Sequence, residues 1–358
     1  MTSSNSLDPS SAADPREPSW PEILAAGDRL RDADGGRGRW APTPSGWIHL
    51  GNARTALAAW LMTRAAGGSF LFRLEDLDRP RTVTEAVPAA QDDLRWLGLD
   101  WDEGPDTGGP SLPYEQSRRT AVYRAALDHL AAVERLFPCR RSRRELRDLA
   151  RAPHGAYTAD HVPAYPRRWR PREVAPDWYR AALAAADAAL RFRVADGATT
   201  FVDGLFGPQR QEVTREVGDF VLRRRDGLIA YQLAVVVDDL AMGVGQVVRG
   251  TDLLDSTARQ LQLIEALGGR PPAHLHVPML LDADGEKLSK RHSALEIRAL
   301  RSRGVASSAV IGLLAWTLGL IETARPVAPS ALVEDFAPDR LRRDDVRLTA
   351  PMLQHLDP

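Results

Sequence analysis

Lysine is almost absent: the 47 basic residues of this 358-residue chain include only Lys287 and Lys290, and all others are arginines. Cys139 is the only cysteine, which excludes an internal disulfide framework and a zinc site built from several thiolates. No apolar run approaches the roughly 20 residues that a membrane-spanning helix needs. No basic and apolar leader is visible at the N-terminus, so we expect a soluble cytoplasmic protein with no membrane partner.

Acidic residues number 48, which gives a formal net charge of -1 and excludes a chain coated in positive charge. A local basic face stays open, because net charge says nothing about its distribution. Residues 137–172 carry ten arginines against three acids and five prolines, which indicates an irregular basic insert.

The 44% hydrophobic fraction predicts a folded chain of two domains, or of one large domain with insertions. We expect residues 1–38, rich in Ser, Pro, Asp and Gly, to form a loose extension, within which apolar residues at helical spacing predict a short helix over Pro21–Asp32. The predicted division is a first half of the main domain at 39–136, an insert at 137–215, a second half at 216–291 and a helical C-terminal part at 292–358.

Local patterns predict alternating strands and helices near the start of the main domain. A strand ends at about residue 42, apolar residues at helical spacing follow over 51–66, and a short apolar strand covers 69–74. This order is a βαβ unit and predicts a parallel sheet. Residues 220–224 and 228–233 flank Asp226-Gly227, which predicts a β-hairpin.

The segment APTPSGWIHLGN, residues 41–52, ends where the first main-domain helix is predicted to begin. A helix N-terminus presents unpaired N–H groups and positive dipole character, which suit phosphate. His49 and Asn52 offer donors to phosphate oxygens, and Gly51 would let a nucleotide approach closely. Taken alone, the segment is more typical of an ordinary strand–turn–helix connection.

Both lysines lie in the segment KLSKR, residues 287–291, after a predicted strand and a polar turn. An ammonium group is a compact charge on a flexible stem, suited to following phosphate charge through a transition state. A solvated basic loop is the ordinary interpretation of such a run. It is weakened here because arginine replaces lysine elsewhere in the chain.

Together the two segments resemble the HIGH and KMSKS motifs of class I aminoacyl-tRNA synthetases. RWAPTPSG at 39–46, RLEDLD at 73–78 and VRGTD at 248–252 resemble motifs of the glutamyl branch. The resemblance extends from about residue 39 to residue 320. It implies an α/β fold: a Rossmann-like parallel-sheet catalytic domain with an inserted α+β subdomain and a short helical C-terminal part.

Within that branch, the chain is most similar to the glutamyl-queuosine tRNA(Asp) synthetases. DRPR at 78–81, GDFVLRRRDG at 218–227 and AYQLAVVVDD at 230–239 resemble this subfamily. Only 67 residues follow Arg291, so we expect no anticodon-binding domain. The stretch at 96–116 instead resembles full-length glutamyl-tRNA synthetases.

The resemblance implies a role for each matching residue. Glutamate would be bound by Arg39, Thr43, Glu75, Tyr231 and Arg249. ATP would be bound by Pro42, His49, Gly51, Asn52, Lys287, Ser289 and Lys290, with His49, Asn52 and Lys290 acting in catalysis. A guanidinium can pair with a carboxylate in bidentate fashion, a carboxylate can receive an ammonium group, and a tyrosine offers a hydroxyl. Outside the motifs, Glu75 would be an ordinary helix-capping or ion-paired carboxylate and Tyr231 a half-buried sheet residue.

The implied reaction uses ATP and Mg²⁺ to convert L-glutamate to glutamyl-adenylate, then passes the glutamyl group to queuosine in the anticodon of tRNA(Asp). A monomer is expected by resemblance. The basic insert either holds RNA phosphates or is a solvated surface. The acceptor stays open: a carrier protein, a small molecule or tRNA(Glu) would serve the same activation chemistry. A non-catalytic binding paralogue is a third hypothesis, against which the intact His49 and Lys290 argue.

Relatives carry zinc ligands in the insert, in the pattern C-x-C followed by Y-x3-C. Here Cys139 and Tyr165 remain, whereas Arg141 and Trp169 occupy the other two positions. A cationic arginine would oppose Zn²⁺. His154 and His161 lie in the same insert, but isolated loop histidines are usually not ligands. We therefore predict that zinc is absent and that there is no metal site.

Overall fold

The computed structural model describes residues 17–78, 80, 82–142, 144–145, 164–175, 177–185, 187–288 and 293–357. Within these ranges the α-helices are α1 (Trp20–Ala33), α2 (Leu50–Ala65), α3 (Ala86–Trp96), α4 (Thr120–Ala132), α5 (Trp178–Ala185), α6 (Val213–Glu216), α7 (Tyr231–Ala241), α8 (Thr257–Ala266), α9 (Ile297–Ser302), α10 (Ser307–Leu318) and α11 (Ala350–Leu353). None of the helices in these ranges is both long and apolar enough to cross a membrane.

The strands of the same ranges are β1 (Gly38–Trp40), β2 (Phe70–Phe72), β3 (Leu136–Cys139), β4 (Ala189–Phe192), β5 (Thr199–Asp203), β6 (Gly207–Gln211), β7 (Val221–Arg223), β8 (Gln246–Gly250), β9 (Ala273–Val277), β10 (Leu280–Leu281) and β11 (Val346–Arg347). The main sheet has the order β2-β1-β8-β9-β5-β6. Its first five strands are parallel, and β6 pairs antiparallel with β5 at the edge. The parallel α/β architecture predicted from the sequence is confirmed.

Strand order reverses beside β1, which has β2 on one side and β8 on the other. The chain leaves β1 through α2 to reach β2 and returns much later to β8. In open parallel sheets the crevice at such a switch point, at the carboxyl ends of the strands, is where ligands bind. The ends of β1 and β8 therefore mark the place to look for a site.

Helix α2 is held in the interior rather than on the surface. Its side chains Leu57 and Leu61 share a core with Phe70 and Phe72 of β2 and with Leu314 of α10. A Cβ atom at position 38 of β1 would come 2.0 Å from Thr63 Oγ1, so glycine there allows α2 to lie close to the strand. Because α2 is buried on several sides, the position of its first turn is fixed by packing.

The boundary predicted at residue 215 does not follow the sheets. The hairpin β5–β6, assigned to the insert, extends the main sheet, since Asp203 pairs with His274 of β9. Conversely, β7 joins β3 and β4 in a separate three-stranded antiparallel sheet. The positions of the β5–β6 hairpin and of β7 both depend on pairing between strands that are distant in sequence. Local composition does not reveal such pairing.

The short helix predicted at 21–32 corresponds to α1, but residues 20–38 are integral to the fold, so the expected loose extension is wrong for this part. Trp20 is 2% exposed, and its indole N–H donates to Leu267 O at 2.8 Å. Ser19 and Glu22 form a capping box at the start of α1. Burial of Trp20 anchors this segment to the rest of the protein, although its Ser, Pro and Asp content is typical of a loose extension.

The predicted hairpin at 220–233 is half correct. β7 and the bridge between Arg223 and Ile229 form its beginning, but α7 starts at Tyr231. Residues 233–237 are all apolar and buried, so their pattern alone does not separate a buried helix from a buried strand.

Candidate active site

A cavity of about 630 Å³ lies at the carboxyl ends of β1 and β8 and at the start of α2. The predicted residues that line it are Arg39, Pro42, Thr43, His49, Gly51, Asn52, Glu75, Tyr231, Arg249 and Lys287. Ser289 and Lys290 lie outside the described residues. The cavity thus unites segments that are some 200 residues apart in the chain.

His49 is the N-cap of α2. Its Nδ1 accepts hydrogen bonds from the amides of Gly51 at 3.1 Å and Asn52 at 3.4 Å, while Asn52 Oδ1 accepts from the amide of His49. An imidazole that accepts at Nδ1 carries its proton on Nε2. His49 therefore uses one ring nitrogen to cap the helix and keeps an N–H donor on the other.

The same cap changes the expected use of the helix terminus. The first-turn amides of Gly51 and Asn52 donate to the ring of His49, so the ring, and not a phosphate, satisfies them. A Cβ atom at position 51 would lie 3.0 Å from His49 Cε1. Glycine at this position makes room for the histidine ring whether or not a nucleotide is bound.

A buried cluster of charges lies behind one wall of the cavity and reaches that wall through Arg39 and Glu75. The Asp239 carboxylate accepts from Arg73 Nη1 at 2.7 Å and from Arg39 Nε at 3.3 Å. Arg73 Nη2 also lies 3.5 Å from Glu75 Oε1. Arg73 is fully buried and Glu75 is 11% exposed, so these charges interact with little screening by water.

Glu75 is the group of this cluster whose charge is most finely balanced. Burial raises the pKa of its carboxyl to about 7, against the opposing effect of Arg73 and Arg39. In Asp239 burial is outweighed by the same two arginines, which lower the pKa of its carboxyl. The cluster therefore combines Asp239, whose pKa is lowered, with Glu75, whose pKa of about 7 lets it ionise when a cation arrives.

Tyr231 is the first residue of α7 and is 37% exposed. Burial, followed by the neighbouring Glu75, raises the pKa of its hydroxyl to about 12. The group stays protonated at neutral pH and offers a hydrogen-bond donor beside Glu75. It reaches the cavity because the helix, rather than the expected strand, begins there.

Arg249 lies at the end of β8 and is 5% exposed. Its Nε donates to His276 Nε2 at 2.9 Å and its Nη1 to Gln260 Oε1 at 2.7 Å. Nη2 donates to Thr257 Oγ1 at 2.8 Å and to Leu253 O at 3.3 Å. Four of its five N–H groups are thus engaged, and a bidentate grip on a carboxylate requires one of these partners to release the guanidinium.

Arg39 of β1 complements Arg249 of the neighbouring strand β8 on the same side of the cavity. Its Nε donates to Asp239 and its Nη1 to Val248 O, both at 3.3 Å. Nη2 is used by neither bond, so Arg39 can offer donors to a ligand carboxylate without losing its own anchors. Two guanidinium groups and a carboxylate of raised pKa form a suitable lining for a small zwitterion.

Lys287 stands at the opposite rim. Its ammonium group lies 2.5 Å from Asp252 Oδ2, and its side chain is 58% exposed. Asp252 also lines the cavity. This ion pair joins the loop after β10 to the loop after β8 at the edge where the sequence predicts phosphate binding.

The sequence interpretation missed Arg73, Asp238 and Asp239, which belong to the buried ion-pair network behind the cavity wall. Asp238 is fully buried and accepts from Arg119, Gln116 and Tyr123. The available signal was two adjacent aspartates inside the apolar run of α7, since buried carboxylates require partners.

In the insert, the four positions considered for zinc are in mutual contact. Cys139 Sγ lies 3.4 Å from Tyr165 Oη, and that hydroxyl donates to Trp169 O at 3.2 Å. The Arg141 guanidinium stacks over the Trp169 ring, 5.1 Å from its centroid. Across the described ranges no group of three or more His, Cys, Asp or Glu side chains could hold a metal ion, and His154 and His161 lie outside those ranges.

Comparison with known proteins shows which family this chain resembles. The family described as "tRNA synthetases class I (E and Q), catalytic domain" matches residues 37–323. A glutamyl-Q tRNA(Asp) synthetase of Nitratidesulfovibrio vulgaris is 52% identical over 297 residues, which cover 83% of this chain and 90% of that protein. A protein of the same name from Symbiobacterium thermophilum is 49% identical over 320 residues, covering 89% and 98% respectively.

Proteins that carry other names are also similar. Glutamate–tRNA ligase 2 of Acidithiobacillus ferrooxidans is 42% identical over 320 residues, which cover 89% of this chain but 65% of that protein. A solved structure of the glutamate-tRNA synthetase from Elizabethkingia anophelis superposes with a TM-score of 0.74 at 26% identity, covering 89% of this chain and 69% of the other.

The contacts of the insert predict that side-chain packing, and not a bound metal ion, stabilises this region. Trp169→Ala removes the stacking partner of Arg141, and we expect it to lower the free energy of unfolding by about 1–3 kcal/mol. Addition of EDTA is expected to leave the melting temperature of the unmodified protein unchanged. Thermal denaturation measures both, with Arg168→Ala as a control at an exposed neighbour. A large fall in melting temperature on chelation would contradict the prediction.

Proposed function

Because the chain belongs to the family of class I tRNA synthetases (E and Q), we propose that it activates L-glutamate with ATP and transfers the glutamyl group to queuosine of tRNA(Asp). The observation that supports this most strongly is the single cavity lined by Arg39, Glu75, Tyr231 and Arg249 on one side and by His49 on the other. The first four suit an amino acid, and His49 suits a phosphate.

In the proposed complex, Glu75 receives the α-ammonium group of glutamate, and Tyr231 and Thr43 offer hydroxyls. Arg39 and Arg249 hold carboxylate oxygens, which neutralises the two negative charges of the substrate. One guanidinium alone could not do so, because Arg249 is largely engaged by its own partners. The electrostatics of the wall thus support a dicarboxylic amino acid.

The first reaction joins a glutamate carboxylate oxygen to the α-phosphorus of ATP and expels pyrophosphate. In the proposed complex, the Nε2–H of His49 donates to a phosphate oxygen. Asn52, Lys287, Ser289 and Lys290 would share the remaining phosphate charge, with Pro42 and Gly51 shaping the nucleotide site. Such catalysis consists mainly of positioning and charge stabilisation. The acyl group then moves to a hydroxyl of the acceptor, and AMP leaves.

Mg²⁺ enters the proposal only with the nucleotide. The described residues contain no cluster of carboxylates and histidines suited to a protein-held metal. When bound to ATP, Mg²⁺ neutralises phosphate charge. The proposal further includes action as a monomer in the cytoplasm.

The acceptor is tested by labelling. Radiolabelled glutamate, ATP and the enzyme are incubated with queuosine-containing tRNA(Asp), queuosine-free tRNA(Asp) and tRNA(Glu), and the products are separated on acid gels. We expect label only on the first RNA. Equal labelling of both tRNA(Asp) forms, or labelling of tRNA(Glu), would refute the queuosine acceptor and favour the activity named for the glutamate–tRNA ligase relative.

Lys290 is tested by substitution with alanine and with arginine. We expect Lys290→Ala to lower ATP–pyrophosphate exchange by about a hundred- to a thousandfold, the effect of removing one transition-state donor. Lys290→Arg should also lose most activity, because a planar guanidinium does not follow phosphate charge as an ammonium does. Arg343→Ala, at an exposed position, and melting temperatures serve as controls. Exchange near the wild-type rate in Lys290→Ala would remove this residue from the mechanism.

The raised pKa of Glu75 predicts a pH dependence. Only the ionised carboxylate attracts an ammonium group, so kcat/KM for glutamate should fall about tenfold per pH unit below pH 7. Glu75→Gln should have a lower kcat/KM that does not vary between pH 6 and 8. Pyrophosphate exchange at saturating ATP measures this. A wild-type profile as flat as that of the variant would contradict the role of Glu75.

A further inference from the structure

A row of buried polar groups runs away from the cavity behind Arg249. β8, β9 and β5 are neighbours in the main sheet, and Arg249 is the register partner of His276. Asp203 stands at the end of β5, beside His274 of β9. Three adjacent parallel strands thus contribute one member each.

These groups are joined by short hydrogen bonds. Arg249 Nε donates to His276 Nε2 at 2.9 Å, and His276 Nδ1 donates to Asp203 Oδ2 at 2.6 Å. Asp203 is itself fixed, since its Oδ1 accepts from the amides of Leu205 and Phe206, each at 3.0 Å. The row therefore ends in the backbone of the turn between β5 and β6.

The protonation state of His276 follows from its partners. An arginine N–H can only donate, so Nε2 of His276 has to carry a lone pair and the ring proton has to sit on Nδ1. Burial lowers the pKa of His276, which favours the neutral ring. In Asp203, burial is outweighed by the hydrogen bonds from His276 and the two amides, which lower the pKa of the carboxyl.

Neither His276 nor Asp203 lines the cavity, and both side chains are fully buried. Their effect on a ligand has to pass through Arg249. The other side of Arg249 is held by Gln260, whose amide group donates to Gln232 Oε1 at 2.8 Å. The guanidinium is thus gripped at Nε by the histidine and at Nη1 by the glutamine.

We propose that Asp203 and His276 are positioning residues that hold Arg249 in the orientation required to bind the substrate carboxylate. This inference rests on the proposed activation of glutamate. Each group determines the state of the next. Asp203 accepts from His276 Nδ1 and so selects the Nδ1–H tautomer. This tautomer makes Nε2 of His276 an acceptor, which orients the guanidinium of Arg249. An unpaired Arg249 Nε–H would be left buried without His276, and the guanidinium would turn to satisfy it.

Two substitutions of His276 separate its two hydrogen bonds. A glutamine carries its amide oxygen near the position of Nε2 and can still accept from Arg249. An asparagine reaches only the position of Nδ1, so it can still donate to Asp203 but loses the bond to Arg249. The two side chains are both neutral amides, which makes His276→Gln the matched control for His276→Asn.

The experiment measures glutamate-dependent ATP–pyrophosphate exchange and melting temperature for the wild type and both variants. We expect His276→Asn to raise KM for glutamate roughly 10- to 100-fold while KM for ATP stays within about twofold, in line with the loss of one hydrogen bond to a charged group. His276→Gln should stay within about threefold of the wild type for both substrates. Asp203→Asn, which weakens the selection of the tautomer, should lie between them.

Three results would overturn the inference. These are unchanged KM for glutamate in His276→Asn, equal losses in both His276 variants, or parallel rises in KM for ATP and glutamate together with a lowered melting temperature. Failure of the proposed function itself is distinguishable, because the wild-type protein would then show no glutamate-dependent exchange at all.

Discussion

The Asp239 carboxylate, buried between the guanidinium groups of Arg39 and Arg73, is the interaction on which the site depends. It ties α7 to β1 and to the end of β2, and so fixes three elements around one side of the cavity. Removal of one partner from a buried ion pair typically costs about 3–5 kcal/mol, because the remaining charge has no compensation. Burial raises the pKa of Glu75 to about 7 against the opposing effect of the same two arginines, so this carboxyl titrates near neutral pH. The same cluster of charged residues therefore holds the elements together and contributes Glu75 to the proposed substrate site.

The two halves of the cavity are built on different principles. The wall around Glu75 and Arg249 consists of buried charges, and the protein itself holds four of the five N–H groups of Arg249. The opposite side consists of a helix cap and an exposed ion pair, His49 at the start of α2 and Lys287 with Asp252. A rigid wall suits selection of a small amino acid, whereas exposed cationic side chains suit a phosphate chain whose charge moves during reaction.

Much of this could be predicted from the sequence, because the motifs are local. Strand β1, helix α2 and the residues at 39–52 follow one another, and the scarcity of lysine singled out the loop at 287–291. The network behind Arg249 could not be predicted in the same way, since Asp203 and His276 meet it only through strand pairing. The start of α7 at Tyr231 was missed because the apolar run at 233–237 has no period to distinguish helix from strand. The segment around Trp20 was also misjudged, because its composition suggested a loose extension and burial of this one side chain holds it in the fold.

The most direct test of the account is a crystal structure of the protein with a non-hydrolysable analogue of glutamyl-adenylate. We predict that the analogue occupies the cavity with its ammonium group on Glu75, its side-chain carboxylate between Arg39 and Arg249, and its phosphate mimic within reach of His49 Nε2. An analogue bound elsewhere, or bound with its ammonium group away from Glu75, would contradict the central claim that this cavity activates glutamate.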